Sequence, residues 1–286
     1  VKNRSNISRV RDARRLAIGL TAFASCALLL LAWATARAED DEKHPAVPDD
    51  NIEDHADLGR ADSPRSDQDL TRDAAEKPAL IAAFASVEPR KRVADLRARD
   101  GYLTEILALA AYPYGKVFAG NDPESLAADD AKEWTERLDK PVFADTARFD
   151  LPLAAPLPPY AVDLDVVVSA GAYADAIRRN VDRPAMNAAV LRALRPGGLY
   201  VIADVRAAAG SGVADGAALC RTVESEVRKE VEAAGFRFVE TSEALAEADD
   251  THTSSACQGV RGRLLDRFLL EFQKPVPDPA PSPPSK

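Results

Sequence analysis

The chain has 286 residues, 46% of them hydrophobic and 29% charged, enough for one large domain or two small ones, which excludes wholesale disorder. Aromatics are 6% and glycines number 14, which argues against a propeller or an aromatic-rich lectin barrel. The net charge of −9 disfavours a nucleic-acid binder that works by neutralising phosphates.

Lys2, Arg4, Arg9, Arg11, Arg14 and Arg15 form a basic head, and residues 16–34 follow as an apolar run without a charge. Ala36-Arg37-Ala38 is a small-x-small cleavage pattern, so residues 1–38 read as a secretory signal peptide and the chain as periplasmic or secreted. An uncleaved membrane anchor is the alternative, because 19 apolar residues approach a bilayer span. Cys26 is followed by four leucines, which argues against a lipidation site. Seven basic residues and Asp12 lie in this leader, so the remainder carries 30 basic and 45 acidic residues, a net of −15. Such a surface repels anionic lipid and nucleic acid.

Residues 39–68 are rich in Asp, Glu and Pro and read as a solvated acidic linker, with His44 and His55 as parts of that tether rather than of a metal site. The folded unit spans residues 69–274, and the Pro-rich residues 275–286 read as an extended tail. Within the unit, strand and helix signals alternate. Residues 69–84 predict a helix and residues 91–96 a strand ending in Asp95-Leu96. Gly101 opens a helix with Leu103, Ile106, Leu107 and Ala110 at helical spacing. Strands are expected over 116–119, over 141–144 ending at Asp145, and over 164–168, with a helix over 127–138 between the first two. The Val166-Val167-Val168 run suits a strand buried on both faces. Residues 184–194 predict a helix stopped at Pro196-Gly197-Gly198, and residues 199–203 the fifth strand. A helix over 225–234 closed by Gly235, and strands over 236–240 and 267–272, complete the pattern. Seven strands with intervening helices predict an α/β fold with a doubly wound, mostly parallel sheet, its ligand site at the carboxyl ends of the strands.

The segments "RDAAEKPALIAAF", "GYLTEILA", "GKVFAGN", "LRPGGLYVIAD", "AGSG" and "EVEAAGFRFVETSEAL" resemble class I S-adenosylmethionine-dependent methyltransferases, and within them a group of exported bacterial predicted methyltransferases. The resemblance implies a Rossmann-like methyltransferase fold, S-adenosylmethionine as cofactor, and an unspecified methyl acceptor. It implies that Asp95 contacts the cofactor's methionine part and that Gly101 lets the backbone approach it. It places Asn121 against the ribose hydroxyls and Asp145 against the adenine amino group.

The chain departs from that pattern in chemically important places. Arg99 and Asp100 put Cβ atoms and charges where the family has glycines just before Gly101. Three histidines of the family are absent, at Ala172-Tyr173-Ala174-Asp175, Asp204-Val205 and Leu219-Cys220-Arg221. No catalytic base is therefore assigned. Tyr173, Asp175 and Asp204 are candidates by position, against plainer readings as a rim tyrosine, a helix-capping carboxylate and a strand-end carboxylate satisfied by N–H groups. A second reading follows, a catalytically inactive methyltransferase-fold protein acting as a ligand-binding or interaction module in the envelope. His252 lies beside Asp249 and Asp250 in a polar loop read as solvated. Cys220 and Cys257 are either a disulfide or two buried thiols.

Overall fold

A computed structural model of the chain describes residues 65–257 and 260–277. The expected leader, most of the expected linker and residues 278–286 of the expected tail lie outside the described residues.

The first helix starts earlier than expected and is interrupted. Ser66 caps α1 (Asp67–Glu76) by accepting from the Asp69 N–H, and Lys77 then turns to φ 48° before α2 (Pro78–Phe84). Pro78 explains the break: it disfavours helical backbone in the residue before it and suits a first helical turn. The chain continues through β1 (Arg92–Asp95), α3 (Tyr102–Ala111), β2 (Lys116–Asn121), α4 (Ala128–Arg137), β3 (Thr146–Asp150), β4 (Leu164–Ala170) and α5 (Ala172–Arg178). It then forms α6 (Arg183–Ala193), β5 (Leu194–Val205), α7 (Val213–Ala218), α8 (Glu224–Ala233), β6 (Arg237–Ser242) and β7 (Arg267–Gln273).

The third strand is a correction. Residues 141–144 do not form it. Pro141–Phe143 is a single 3₁₀ turn, and β3 pairs with β2 from Val117↔Thr146 to Asn121↔Asp150. Proline at 141 removes a ladder donor, and Phe143 is drawn to pack edge-on against Trp134 at 5.5 Å. Asp145 therefore precedes β3 rather than ending it. Two helices escaped the periodicity, α5 and α7, of seven and six residues. The fifth strand begins at Leu194, because Leu194 already pairs with Leu164 of β4.

The seven strands lie in the order β3-β2-β1-β4-β5-β7-β6, all parallel except for the antiparallel β7. Alternation along β4 buries Val167 against α5, α6 and α8 residues on one face and Val166 and Val168 against α2 and α3 residues on the other. Strand order reverses between β1 and β4, so their carboxyl ends open a crevice there.

Candidate functional site

The turn after β1 is stitched to its neighbours by main-chain bonds. Leu96 donates to the Val168 carbonyl of β4 at 3.0 Å, and Ala98 donates to the Gly120 carbonyl of β2 at 2.9 Å. Gly101 closes the turn at φ +84° and leads into α3. A Cβ there would sit 2.3 Å from Cε3 of Trp134 on α4, so glycine is required by that ring.

Asp95 ends β1 fully buried. Its carboxylate accepts from the Arg97 N–H at 3.2 Å and the Thr104 hydroxyl at 2.8 Å, and burial pushes its pKa up to about 6. Asn121 ends β2 and clamps the turn: its Oδ1 accepts from the Arg99 N–H at 2.7 Å, and its Nδ2 donates to the Arg99 carbonyl at 3.2 Å. Asp95, Gly101 and Asn121 are thus brought together around one turn. Asp145 is not. It lies at the opposite, amino-terminal edge of the sheet, beside a small recess shared with Tyr112 and Tyr114. The carboxylate that does end β3 is Asp150, which is exposed and meets Arg148 at 3.3 Å.

Asp122, next to Asn121, has its oxygens engaged. Oδ1 accepts from the Glu124 N–H at 2.9 Å, and Oδ2 from the Leu153 N–H at 2.8 Å and Arg179 at 2.9 Å. Burial works to raise this carboxyl, but Arg179 and the two N–H groups outweigh it and hold it below the usual range. Arg99, at φ 53°, directs its guanidinium towards α4, where Nε meets Asp130 at 3.2 Å. Asp100 is held by Arg72 of α1 at 2.6 Å, and Arg72 also stacks on the Tyr102 ring at 3.9 Å. Asp69 of the same helix takes a bidentate pair from Arg137 at 2.6 Å in each arm, so α1 is fixed over the turn.

Arg97 is the side chain that enters the crevice. It is half-buried, and its Nη1 lies 3.3 Å from where a Cβ on Gly171 would be, so Gly171 (φ +73°) makes room for it. Asp175 and Asp204 attract it at longer range, and among the described residues no side chain hydrogen-bonds its guanidinium. Burial, reinforced by Arg99, lowers its pKa to about 10, which leaves it charged at neutral pH. Sequence reasoning dwelt on Arg99 and Asp100 and missed Arg97.

The three candidate bases are placed as follows. Tyr173 is buried in the core, its hydroxyl accepting from Asn187 at 2.7 Å, so it is not at the rim. Asp204 accepts from the Ala174 and Val205 N–H groups at 2.9 and 2.8 Å, and burial raises it to about 6. Asp175, in the first turn of α5, is paired with Arg178 at 2.7 Å and Arg179 at 3.2 Å. His252 spends its ring on Asp266 at 2.8 Å. Cys220 and Cys257 are joined as a disulfide, and Arg221, 1% exposed, forms a bidentate pair with Asp250 at 2.9 and 3.0 Å beside it. Nothing in the residue pattern signals that pair.

Over the ends of β1, β4 and β5 lies a cleft of about 110 Å³, lined by Arg97, Tyr102, Asp204, Arg267, Ile81 and the Cys220–Cys257 bridge among others, with Asp95, Gly101 and Asn121 outside its lining. S-adenosylmethionine needs two things here, a bare turn for its cationic amino-acid half and open polar groups at the ends of β2 and β3 for its nucleoside. The residues present do not fit. Arg97 occupies the first place, where its charge opposes the ammonium and sulfonium and only the carboxylate of that half could pair with it. In the second, the Asn121 amide is bonded to Arg99, and Asp122 to Glu124, Leu153 and Arg179, while Asp150 at the end of β3 is exposed.

No family model and no curated protein matches the chain. Solved structures do. A methyltransferase from Aquifex aeolicus that depends on S-adenosylmethionine is similar at 14% identity and a TM-score of 0.52, over 77% of this chain and 97% of its own. A Galdieria sulphuraria protein named as a sarcosine dimethylglycine methyltransferase has 15% identity and a TM-score of 0.52, over 79% and 99%. The cyclase SpnF has 13% identity and a TM-score of 0.50, over 77% and 85%. The fold is that of the class I methyltransferases, with the seven-stranded, Rossmann-like sheet intact.

Proposed function

We propose that this chain is an exported ligand-binding protein built on the class I methyltransferase fold, using the crevice at the β1–β4 switch without a nucleoside cofactor. One observation carries the reading: the Arg97 guanidinium lines the crevice while Asn121 and Asp122 are already hydrogen-bonded to the protein's own groups. Fold does not dictate activity, and a cyclase shares this architecture at the same level of similarity. Export is supported by the basic head, apolar run and Ala36-Arg37-Ala38 pattern, and by the disulfide, which suits an oxidising compartment.

The second reading is methyl transfer from S-adenosylmethionine to an unidentified acceptor, in the periplasm or at the membrane. It is supported by the fold of the two methyltransferase neighbours and by Asp204, a cleft carboxylate near pKa 6 able to accept a proton. Calorimetric titration of S-adenosylmethionine and its demethylated product into the full chain separates the two. The binding reading expects silence into the millimolar range, and micromolar binding of either compound overturns it.

A further inference from the structure

We propose that the Arg97 end of the cleft binds a small monocarboxylate with a compact apolar body. This rests on the reading of the cleft as a binding site free of a nucleoside cofactor.

The charge follows from which cations are already committed. Arg72 is paired with Glu76 and Asp100, Arg99 with Asp130, and Arg178 with Asp175. Arg267 donates from Nη2 to the Ala75 and Glu76 carbonyls, and its buried Nε has no hydrogen-bond partner among the described residues. Among the described residues, Arg97 alone of this set has a guanidinium with neither an ion pair nor a hydrogen bond, and it lines the cleft. A guanidinium fork matches a carboxylate through two parallel bonds. One such group calls for one negative charge. Glu76, Asp100, Asp175 and Asp204 also border the cleft, and their field disfavours a dianion such as phosphate.

Size and polarity follow from the walls. Ile81, Leu103, Val205 and the Cys220–Cys257 bridge give apolar surface next to the guanidinium. The cleft holds about 110 Å³, somewhat less than an apolar cavity of about 150 Å³ that accommodates benzene. A short branched acid, or a single-ring acid whose ring reaches out of the open cleft, fits that room with its carboxylate on Arg97.

The test is calorimetry on the full chain with benzoate, benzamide and S-adenosylhomocysteine. Benzoate is expected to bind with a submillimolar Kd, and benzamide at least about tenfold more weakly, since it has the shape without the charge. Arg97→Gln is expected to abolish that preference, and Arg97→Lys to keep part of it. Equal affinity for benzoate and benzamide, or no saturable benzoate binding at millimolar concentration, overturns the proposal. The wild-type comparison decides the matter even if a variant fails to fold. Micromolar binding of S-adenosylhomocysteine would instead overturn the underlying reading, so the two failures are distinguishable.

Discussion

Trp134 on α4 occupies the space that a side chain on Gly101 would fill: a Cβ at 101 would fall 2.3 Å from Cε3 and 2.5 Å from Cζ3 of the indole. The ring is fully buried and packs against Phe143, so it has nowhere to retreat. Gly101→Ala is expected to destabilise the fold by about 3 kcal/mol, combining overpacking with the cost of a non-glycine residue at φ +84°. Chemical denaturation measures it. Adding Trp134→Ala should recover part of the loss, so the pair should be strongly non-additive. Additive losses would mean that Gly101 is needed for something other than the ring.

Glu271 faces Glu240 directly across the β6–β7 ladder. Burial first, and the like charge second, push its pKa up to about 7. Asp95 and Asp204 are raised by burial to about 6. An acid whose pKa is higher folded than unfolded binds more protons in the folded state, so stability falls as pH rises between the two values. The melting temperature is therefore expected to drop from about pH 5 to pH 8. Glu271→Gln should flatten the upper part of that fall and stabilise the protein at pH 8 by up to about 3 kcal/mol. A melting temperature that rises steadily across this window, in wild type and variant alike, would contradict it.

The disulfide closes a loop between residues 37 apart in sequence. Chain-entropy reasoning gives about 4 kcal/mol for a loop of that size. The Cys220→Ser, Cys257→Ser double variant should unfold at a lower urea concentration by that order. Because the bridge also walls the cleft, it should weaken benzoate as well. Non-reducing mass analysis of the full chain should find Cys220 and Cys257 linked, with no alkylatable thiol at either.

Arg221 and Asp250 pin the loop after β5 to the loop before β7, and both side chains are buried. Removing one partner of a buried pair leaves an uncompensated charge. Arg221→Leu is expected to cost about 3 to 5 kcal/mol, whereas replacing both by apolar residues should cost less. Thermal unfolding of the two variants tests the ordering.

The sheet was legible where burial imposes a strong pattern. Val166, Val167 and Val168 pack on alternate faces of β4 as their type predicts, and the proline-led α6 starts under Asp182. The edge strand was not. In β3 only Phe149 is buried, so Thr146, Arg148 and Asp150 give no apolar run, while the neighbouring Val142-Phe143 pair mimics one. That exchange misplaced Asp145 by the length of the strand. Asp95, Gly101 and Asn121 could be placed at the turn from sequence because they sit at strand ends or at its last glycine. Their partners could not, because Trp134, Thr104 and Arg99 come from elements whose proximity only the tertiary fold determines. The plainer reading of Asp204, a carboxylate satisfied by backbone N–H groups, matches its two bonds.

Arg99 holds a left-handed backbone that glycine adopts without strain, and the Asn121 amide grips both sides of its peptide unit. The loop thus follows a contour that suits glycine beneath charged side chains. Main-chain path and side-chain chemistry are separable at this turn, so the crevice can be refurnished residue by residue while the main chain stays where it is.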